Sequence, residues 1–471
     1  MKKKIMGIFI CTLLIAAAVL PVAGTIESKN IRKVNPKRGM LLQPPETWNK
    51  TFGIITADNG YFVQETTDGG YIVVGSTYSG GIPDVYLIKT DANGIKQWDS
   101  TPFSGGIGYC VQQTTDGGYI ITGSTFGISD ALLVKTDANG VEQWNTTFGA
   151  TKFDAGYSVK QTTDGGYIIA GAYTYVPPPG TYDAWLIKTD SNGVQQWDQK
   201  FGGTFSDYAY SVQQTSDGGY ILAGSTNPTN TNDDVYLIKT DASGNPMWTK
   251  SYGGGNDDYG QSVQQTGDGG YIIAGWTDSF GAGLTDVYLI KTDASGNTGW
   301  TKTYGGANYD DGRSVWQTSD GGYIIAGSTS SFGAGFSDIY LIKTDTTGNE
   351  QWNETFGGAQ NDHGYWAQET TDGGYIIVGD TSSYGAGSSD VWLIKIGGAG
   401  PTLKSTFLLG LITNLNTGVT QSTFDSVILL YLQFNPFNFG IYSSGETVTV
   451  SNQYSGILTQ SFAIGFFNTD I

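Results

Sequence analysis

The sequence predicts an all-β fold, a seven-bladed β-propeller followed by a small C-terminal β domain, and three observations predict it. The first is a repeat. The segment Asp268-Gly269-Gly270-Tyr271-Ile272-Ile273-Ala274-Gly275 recurs seven times, with its tyrosine at Tyr71, Tyr119, Tyr167, Tyr220, Tyr271, Tyr323 and Tyr375, at intervals of 48 to 53 residues. A fixed period of about fifty residues marks a propeller, solenoid or array. The second is the content of each unit, which reads as four short strands with no helical apolar period of useful length. The third is an offset. A fourth-strand tryptophan occurs seven times, at Trp48, Trp98, Trp144, Trp197, Trp248, Trp300 and Trp352, yet the first precedes unit one and unit seven ends without one.

The fifth unit shows the elements in order. Ser262-Val263-Gln264-Gln265-Thr266 is a short extended run. Gly267-Asp268-Gly269-Gly270 is a tight turn, since glycine supplies the positive φ that hairpin turns require. Residues 271–274 are apolar on both faces, as in a strand packed from both sides. A loop over 276–285 precedes the third strand, Asp286-Val287-Tyr288-Leu289-Ile290-Lys291. Asp293-Ala294-Ser295-Gly296 turns the chain, and Trp300-Thr301-Lys302-Thr303-Tyr304 is the fourth strand. The offset then predicts that residues 46–52 supply the outer strand of blade seven, which joins the chain ends and removes open sheet edges. A solenoid needs caps instead.

The propeller is expected over residues 46–396. Before it, Met1-Lys2-Lys3-Lys4 and the apolar run 5–23 read as a signal peptide ending near residue 24, with an uncleaved membrane anchor as the alternative. Residues 25–45 are a polar, basic, proline-bearing linker. Cleavage would leave Cys110 as the single thiol, so no intrachain disulfide is expected. After the propeller, residues 397–401 are a glycine-rich linker and 402–471 a small β domain of unknown role, with strands expected at 407–412, 427–434, 446–450 and 457–467. Residues 41–471 carry 16 Lys and Arg against 42 Asp and Glu, a net charge of −26. That balance argues against nucleic acid as a partner and for solubility or association with cations.

In such a blade the first-to-second and third-to-fourth turns share one face. Here they are tight and uniform. The other connections, on the face called top, are long and variable, which is where binding sits on a rigid scaffold. Six units carry an acid in the top connection entering the blade: Asp58, Asp154, Asp207, Asp258, Asp310 and Asp362. These acids read first as side chains capping their own turns. A ring of carboxylates holding calcium is the alternative. The third-strand acids Asp84, Asp130, Asp183, Asp234, Asp286, Asp338 and Asp390 read as caps too, and Lys89 and its six equivalents as a strand-end ladder.

Departures from the repeat are the stronger functional lead. Blades five, six and seven share an aromatic top loop, Ser279-Phe280-Gly281-Ala282-Gly283, Ser331-Phe332-Gly333-Ala334-Gly335 and Ser383-Tyr384-Gly385-Ala386-Gly387. Trp276, Arg313, Trp316, His363, Tyr365 and Trp366 also break the pattern there. Aromatic rings beside carboxylates suit carbohydrate or peptide, because the ring stacks and the polar groups orient. Packing over neighbouring loops is the structural alternative. Blade three has a stiff insertion of its own at 175–182 that suits protein contact. Three N-glycosylation sequons start at Asn49, Asn145 and Asn353, each just after a fourth-strand tryptophan, and should be exposed.

The composition leans against an enzyme. The chain has one histidine, His363, and arginines only at Arg32, Arg38 and Arg313. A histidine-rich metal site and a multi-arginine carboxylate clamp are therefore absent, and no nucleophile is placed for a triad. Paired carboxylates for polysaccharide hydrolysis remain the enzymatic alternative.

The unit Asp-Gly-Gly-Tyr-Ile-Ile-Ala-Gly, followed by Asp-Val-Tyr-Leu-Ile-Lys-Thr-Asp and by Trp and Phe-Gly-Gly, resembles the DGG-type β-propeller repeats of secreted prokaryotic surface proteins, within the quinoprotein-like and kelch-like propellers. The segment Asp91-Ala92-Asn93-Gly94, with Trp98, is similar to the tryptophan-docking motif of quinoprotein-like propellers, one residue shorter before the glycine. That likeness implies outer-strand tryptophans docking blade on blade. It implies no quinone, since no matching cofactor residues are found, and the calcium loop of integrin-like propellers is missing. The expected protein is a secreted or cell-surface binding or adhesion module for carbohydrate or protein, with a purely structural envelope role as a further alternative.

Overall fold

The computed structural model describes residues 46–127, 129–149, 153–174 and 181–397, and six strands between 409 and 464. The expected signal or anchor and its linker (1–45), most of the second linker and most of the blade-three insertion lie outside the described residues. No helix occurs among the described residues.

Seven four-stranded antiparallel sheets form a seven-bladed β-propeller. Blade one runs Asp58–Glu65, Tyr71–Ser79, Ile82–Thr90 and Lys96–Ser104, hydrogen-bonded in chain order from the axis outward. Blades two to six repeat that order. In blade seven, Asp362–Glu369, Tyr375–Thr381 and Asp390–Ile396 are completed by the N-terminal strand Glu46–Phe52, as the tryptophan offset requires. Its register places Trp48 opposite Lys395, Asn49 opposite Ile394 and Phe52 opposite Val391.

The second and third strands are apolar on both faces because both faces are covered by neighbouring blades. Ile272, Val287 and Leu289 are fully buried, as are their equivalents, and each of these valine, leucine and isoleucine side chains contributes roughly 1.5–3 kcal/mol. Blades dock through the outer tryptophans. Each ring lies 5.8–6.0 Å from the DGG tyrosine of the next blade, from Trp48 on Tyr71 to Trp352 on Tyr375. The turn glycine under the ring has two reasons to be glycine. Gly296 has φ of +74°, and a Cβ there would stand 2.8 Å from the Trp248 ring.

On the face opposite the top, each DGG turn is held by its own aspartate and by a lysine. Asp268 accepts from Thr266 Oγ1 and Gly270 N, and the buried Lys291 ammonium bonds Asp268 and the Thr292 carbonyl. The turn also donates to the next blade, closing a ring of seven junctions. Thr67 N donates to Gln113, Thr115 N to Gln161, Thr163 N to Gln214, Ser216 N to Gln265 and Gly267 N to Gln317. At the two junctions flanking blade seven the acceptor is a glutamate taking two bonds, Glu369 from Ser319 and Glu65 from Thr371.

Beyond the propeller, Leu409–Ile412, Val427–Gln433, Asn438–Ser444 and Ala463–Ile464 form a four-stranded antiparallel sheet. Gln421–Phe424 pairs with Val448–Ser451. Four of these strands fall in the runs expected from sequence; Gln421–Phe424 and Asn438–Ser444 are additional.

Candidate functional site

The aromatic top loops of blades five to seven are one device used three times. Thr277 Oγ1 accepts from Ser279 N and Phe280 N, Asp286 Oδ2 accepts from Ala282 N and Gly283 N, and Ser279 Oγ donates to Asp258 Oδ2. Blades six and seven repeat this with Thr329 and Asp338, and with Thr381 and Asp390. The rings are therefore presented on preset loops. Phe280, Phe332 and Tyr384 are 45%, 43% and 49% exposed. One side of each packs within its own blade, 5.7 Å from Tyr288, 5.7 Å from Tyr340 and 5.2 Å from Trp392 respectively. Each ring also overlies the glycine pair of the incoming loop. A Cβ on Gly254, Gly306 or Gly358 would fall within 2.7 Å of the loop serine and about 3.1–3.2 Å from the ring or its hydroxyl.

The six incoming acids are buried and serve those loops. Asp58, Asp207, Asp258, Asp310 and Asp362 each accept the backbone N–H four residues earlier, from Ile54, Gly203, Gly254, Gly306 and Gly358. Asp154 accepts from Thr174 N across its blade. Asp310 and Asp362 are further bonded by Thr329, Ser331, Thr381 and Ser383 hydroxyls. Among the described residues no three His, Cys, Asp or Glu side chains come together in a way that would hold a metal ion.

Of the remaining candidate residues, Arg313, Trp316, His363 and Trp366 lie on innermost strands, around the axis, and Trp276 on the second strand of blade five. Each innermost strand slips register once, between Gly60 and Phe62 in blade one and at the same place in the others. The residue left unpaired is Tyr61, Tyr109, Tyr157, Tyr210, Gln261, Arg313 or Tyr365. Their rings touch in sequence: Tyr365 to Tyr61 at 5.0 Å, Tyr61 to Tyr109 at 5.7 Å, Tyr109 to Tyr157 at 5.6 Å and Tyr157 to Tyr210 at 5.2 Å. Burial pushes the Tyr61 phenol up to about 12 and raises Tyr157, Tyr210 and Tyr365 as well. Below it Phe62 stacks on Trp366 at 4.2 Å, with the Lys160 ammonium of blade three 5.1 and 5.9 Å from those rings.

Polar departures crowd the top of this arc. Arg313 bonds Asp311 through Nε and one terminal nitrogen and lies 4.6 Å over the Tyr365 ring. Burial works against its charge, but Asp311 and Tyr365 more than offset it and hold its pKa raised. His363 Nδ1 stands 3.4 Å from Asp380 Oδ2, which also accepts from Ser389 Oγ at 3.2 Å. Trp276 stacks on Tyr259 at 4.2 Å, and Tyr259 donates to Asp233. Trp316 is half-buried lower on the blade-six inner strand, against the core between blades six and seven. The eight aromatic and basic candidates thus separate into an outer rim (Phe280, Phe332, Tyr384) and an axial set. Apart from Tyr365, the tyrosine arc was not singled out from sequence, and neither was Asp380. The recurrence of tyrosine three residues after the incoming acid was the available sign.

A groove of about 390 Å³ opens at the rim between blades six and seven, lined by Asn49, Glu354, Thr355, Phe356, Gly357, Tyr384 and Trp392. Asn49, Asn145 and Asn353 are all exposed on outer strands. Cys110 is buried, its thiol pushed up by burial, 3.7 Å from the Val159 carbonyl.

No protein-family model matches the chain. The regulatory protein FlaEY of Caulobacter vibrioides is 26% identical over 223 residues, spanning 40% of this chain and 23% of FlaEY, so the chain spans under a quarter of that relative's length. Among solved structures, the Pan2 WD40 domain of Neurospora crassa is similar at 10% identity with a TM-score of 0.46, over 71% of this chain and 88% of that one. A protein of unknown function from Bacteroides caccae is similar at 12% identity with a TM-score of 0.39, over 64% of this chain and 94% of that one. The blade count rests on this chain's own sheets.

Proposed function

We propose that the protein is an exported, non-catalytic binding or adhesion module that engages carbohydrate or protein at the cell surface through the top loops of blades five to seven. The observation that carries this reading is the triple presentation of Phe280, Phe332 and Tyr384, each about half exposed on a loop fixed by four or more hydrogen bonds to its own blade. A rigid scaffold with exposed aromatic anchors loses little entropy on binding. The axial set around Arg313, His363 and Trp276 is the polar part of the same face.

The test is a glycan-array screen of the full chain beside a Phe280→Ala, Phe332→Ala, Tyr384→Ala variant, with and without calcium. Binding that disappears in the variant supports a site on these loops. Calcium dependence would give the six incoming acids a ligand role beyond capping. Equal binding by both proteins would overturn the assignment to these loops, and no binding by either would turn the search to protein partners.

A further inference from the structure

We infer that the groove between blades six and seven is a saccharide subsite built on Trp392 and Tyr384; this rests on the top-face binding role proposed above and narrows its ligand class. The argument starts from an internal comparison. In blade three, Trp185 Nε1 donates to Asp198 Oδ2 at 2.8 Å, and in blade one the Tyr86 hydroxyl donates to Asp99 Oδ2 at 2.8 Å. Both aspartates stand on the outer strand, Asp198 opposite Ile187 and Asp99 opposite Ile88. In blade seven the same place, opposite Ile394, is taken by Asn49. Trp392 is 5% exposed, and its Nε1–H has no acceptor. A buried donor without a partner is costly, so an acceptor delivered by a ligand gains what blades one and three obtain internally.

The groove around that donor has the chemistry of a sugar site. Tyr384 offers a half-exposed flat ring, Glu354 and Asn49 supply a carboxylate and a carboxamide, and the volume suits a small saccharide. A peptide side chain would favour a deeper apolar or singly charged pocket. The Trp392 N–H is shielded, and 5.2 Å from the Trp392 ring stands that of Tyr384. Its hydroxyl is tied to the Gly357 carbonyl at 2.9 Å, a bond that Phe280 and Phe332 do not make in blades five and six. Asn49 also begins a sequon and is exposed, so the saccharide has two sources: a glycan carried on Asn49, or a free sugar.

The test reads the Trp392 indole N–H by NMR in the full chain labelled with nitrogen-15, the signal being assigned by Trp392→Tyr. That substitution restores the residue found at this position in blades one, four, five and six, and the fold should keep it. In the first arm, the chain from a glycosylating host is compared with its Thr51→Ala variant. In the second, Thr51→Ala from a non-glycosylating host is titrated with methyl glycosides of glucose, galactose, mannose and N-acetylglucosamine. A shift in the first arm alone assigns the groove to the Asn49 glycan, and a shift in the second to a free saccharide. Trp392→Tyr, which has no indole signal to follow and is read by titration calorimetry instead, should bind the free sugar about tenfold more weakly, the loss of one hydrogen bond. Asn49→Asp, which supplies the acceptor found in blade three, should abolish it. An indole signal unmoved in both arms, or moved only by peptides, overturns the proposal. Array binding that survives Asn49→Asp but is lost in the triple ring variant would retain the top-face role and discard this subsite.

Discussion

The DGG aspartates and their lysines show how a repeated residue is fixed by local chemistry. Partial burial pushes the Asp68 carboxyl up, but Thr66, Lys89 and the Gly70 N–H outweigh it and hold it at about 2. Asp116, Asp164, Asp217 and Asp268 are held at about 2 by the same opposition of partial burial against a hydroxyl, a lysine and a backbone N–H. A carboxyl depressed in the folded state stabilises above its ordinary pKa near 3.8, and that contribution is lost as pH falls toward 2. Burial raises Asp183, Asp207, Asp234 and Asp338 instead, which acts in the opposite direction. Difference measurements therefore isolate the turns. Asp268→Asn should cost about 1–2 kcal/mol at neutral pH, discounted because the carboxylate is largely exposed, and the deficit should shrink between pH 4 and 2. Urea unfolding of both proteins across that range checks it; a deficit that does not change with pH would mean the ion pair contributes nothing. The glycines make a sharper pair. Gly296→Ala meets both a positive φ and the Trp248 ring and should cost about 1–3 kcal/mol. Gly255→Ala has nothing within 4 Å and no positive φ, and should stay within about 0.5 kcal/mol. Equal effects would show that the docked tryptophan is not what the glycine serves.

At the scale of elements, legibility followed the repeat. The Tyr271–Thr277 and Asp286–Thr292 strands are written as apolar runs between turn glycines, and the borrowed strand Glu46–Phe52 is written as a tryptophan out of place. What was hidden depends on register. The slip at Tyr61 arises where Gly60 lies so close to Val391 and Val378 that a Cβ would stand 2.7 and 2.9 Å away. That contact comes from another blade, so no local pattern announces that the tyrosine turns to the axis. Trp392 was hidden in another way: it occupies an ordinary repeat position, and only comparison with the Trp185–Asp198 pair shows what its blade lacks. The borrowed strand carries a prediction at its own scale. Deleting residues 46–53 strips the partner from Asp390–Ile396 and removes Trp48 from Tyr71. The truncated chain should melt at least several degrees lower and self-associate through the exposed edge. Scanning calorimetry with light scattering would show this, and an unchanged melt would mean that blade seven is closed by something else.

The propeller is a ring whose one non-covalent closure is inside blade seven, where Glu46–Phe52 and Asp390–Ile396 meet only through hydrogen bonds and packing. On the turn face each DGG turn donates to an acceptor on the next blade, so the seven form a closed circuit, and at four junctions a second bond joins the inner strands, from Gln113 N to Gln64, Gln161 N to Gln112, Gln265 N to Gln213 and Gln317 N to Gln264. The acceptors differ in a way that matches the seam. Five junctions use a glutamine that takes one backbone N–H, whereas Glu369 and Glu65, on either side of blade seven, each take a backbone N–H and a hydroxyl. Hydrogen bonds to a charged acceptor are worth about 1.5–3 kcal/mol against about 1 for a neutral one. Because these glutamates are only half-buried, solvent reduces the difference. Glu65→Ala should therefore cost about 2 kcal/mol and Gln113→Ala about 1, although both remove the same kind of junction. Glu65→Gln, which keeps the shape and loses the charge, should fall between them. Equilibrium unfolding of the three variants, at low and at high salt, decides the matter. A larger loss at Gln113, or no salt dependence at Glu65, would mean that the seam depends on the outer strand alone. The predicted order would mean that the ring is reinforced electrostatically on both sides of the blade that its own chain does not close.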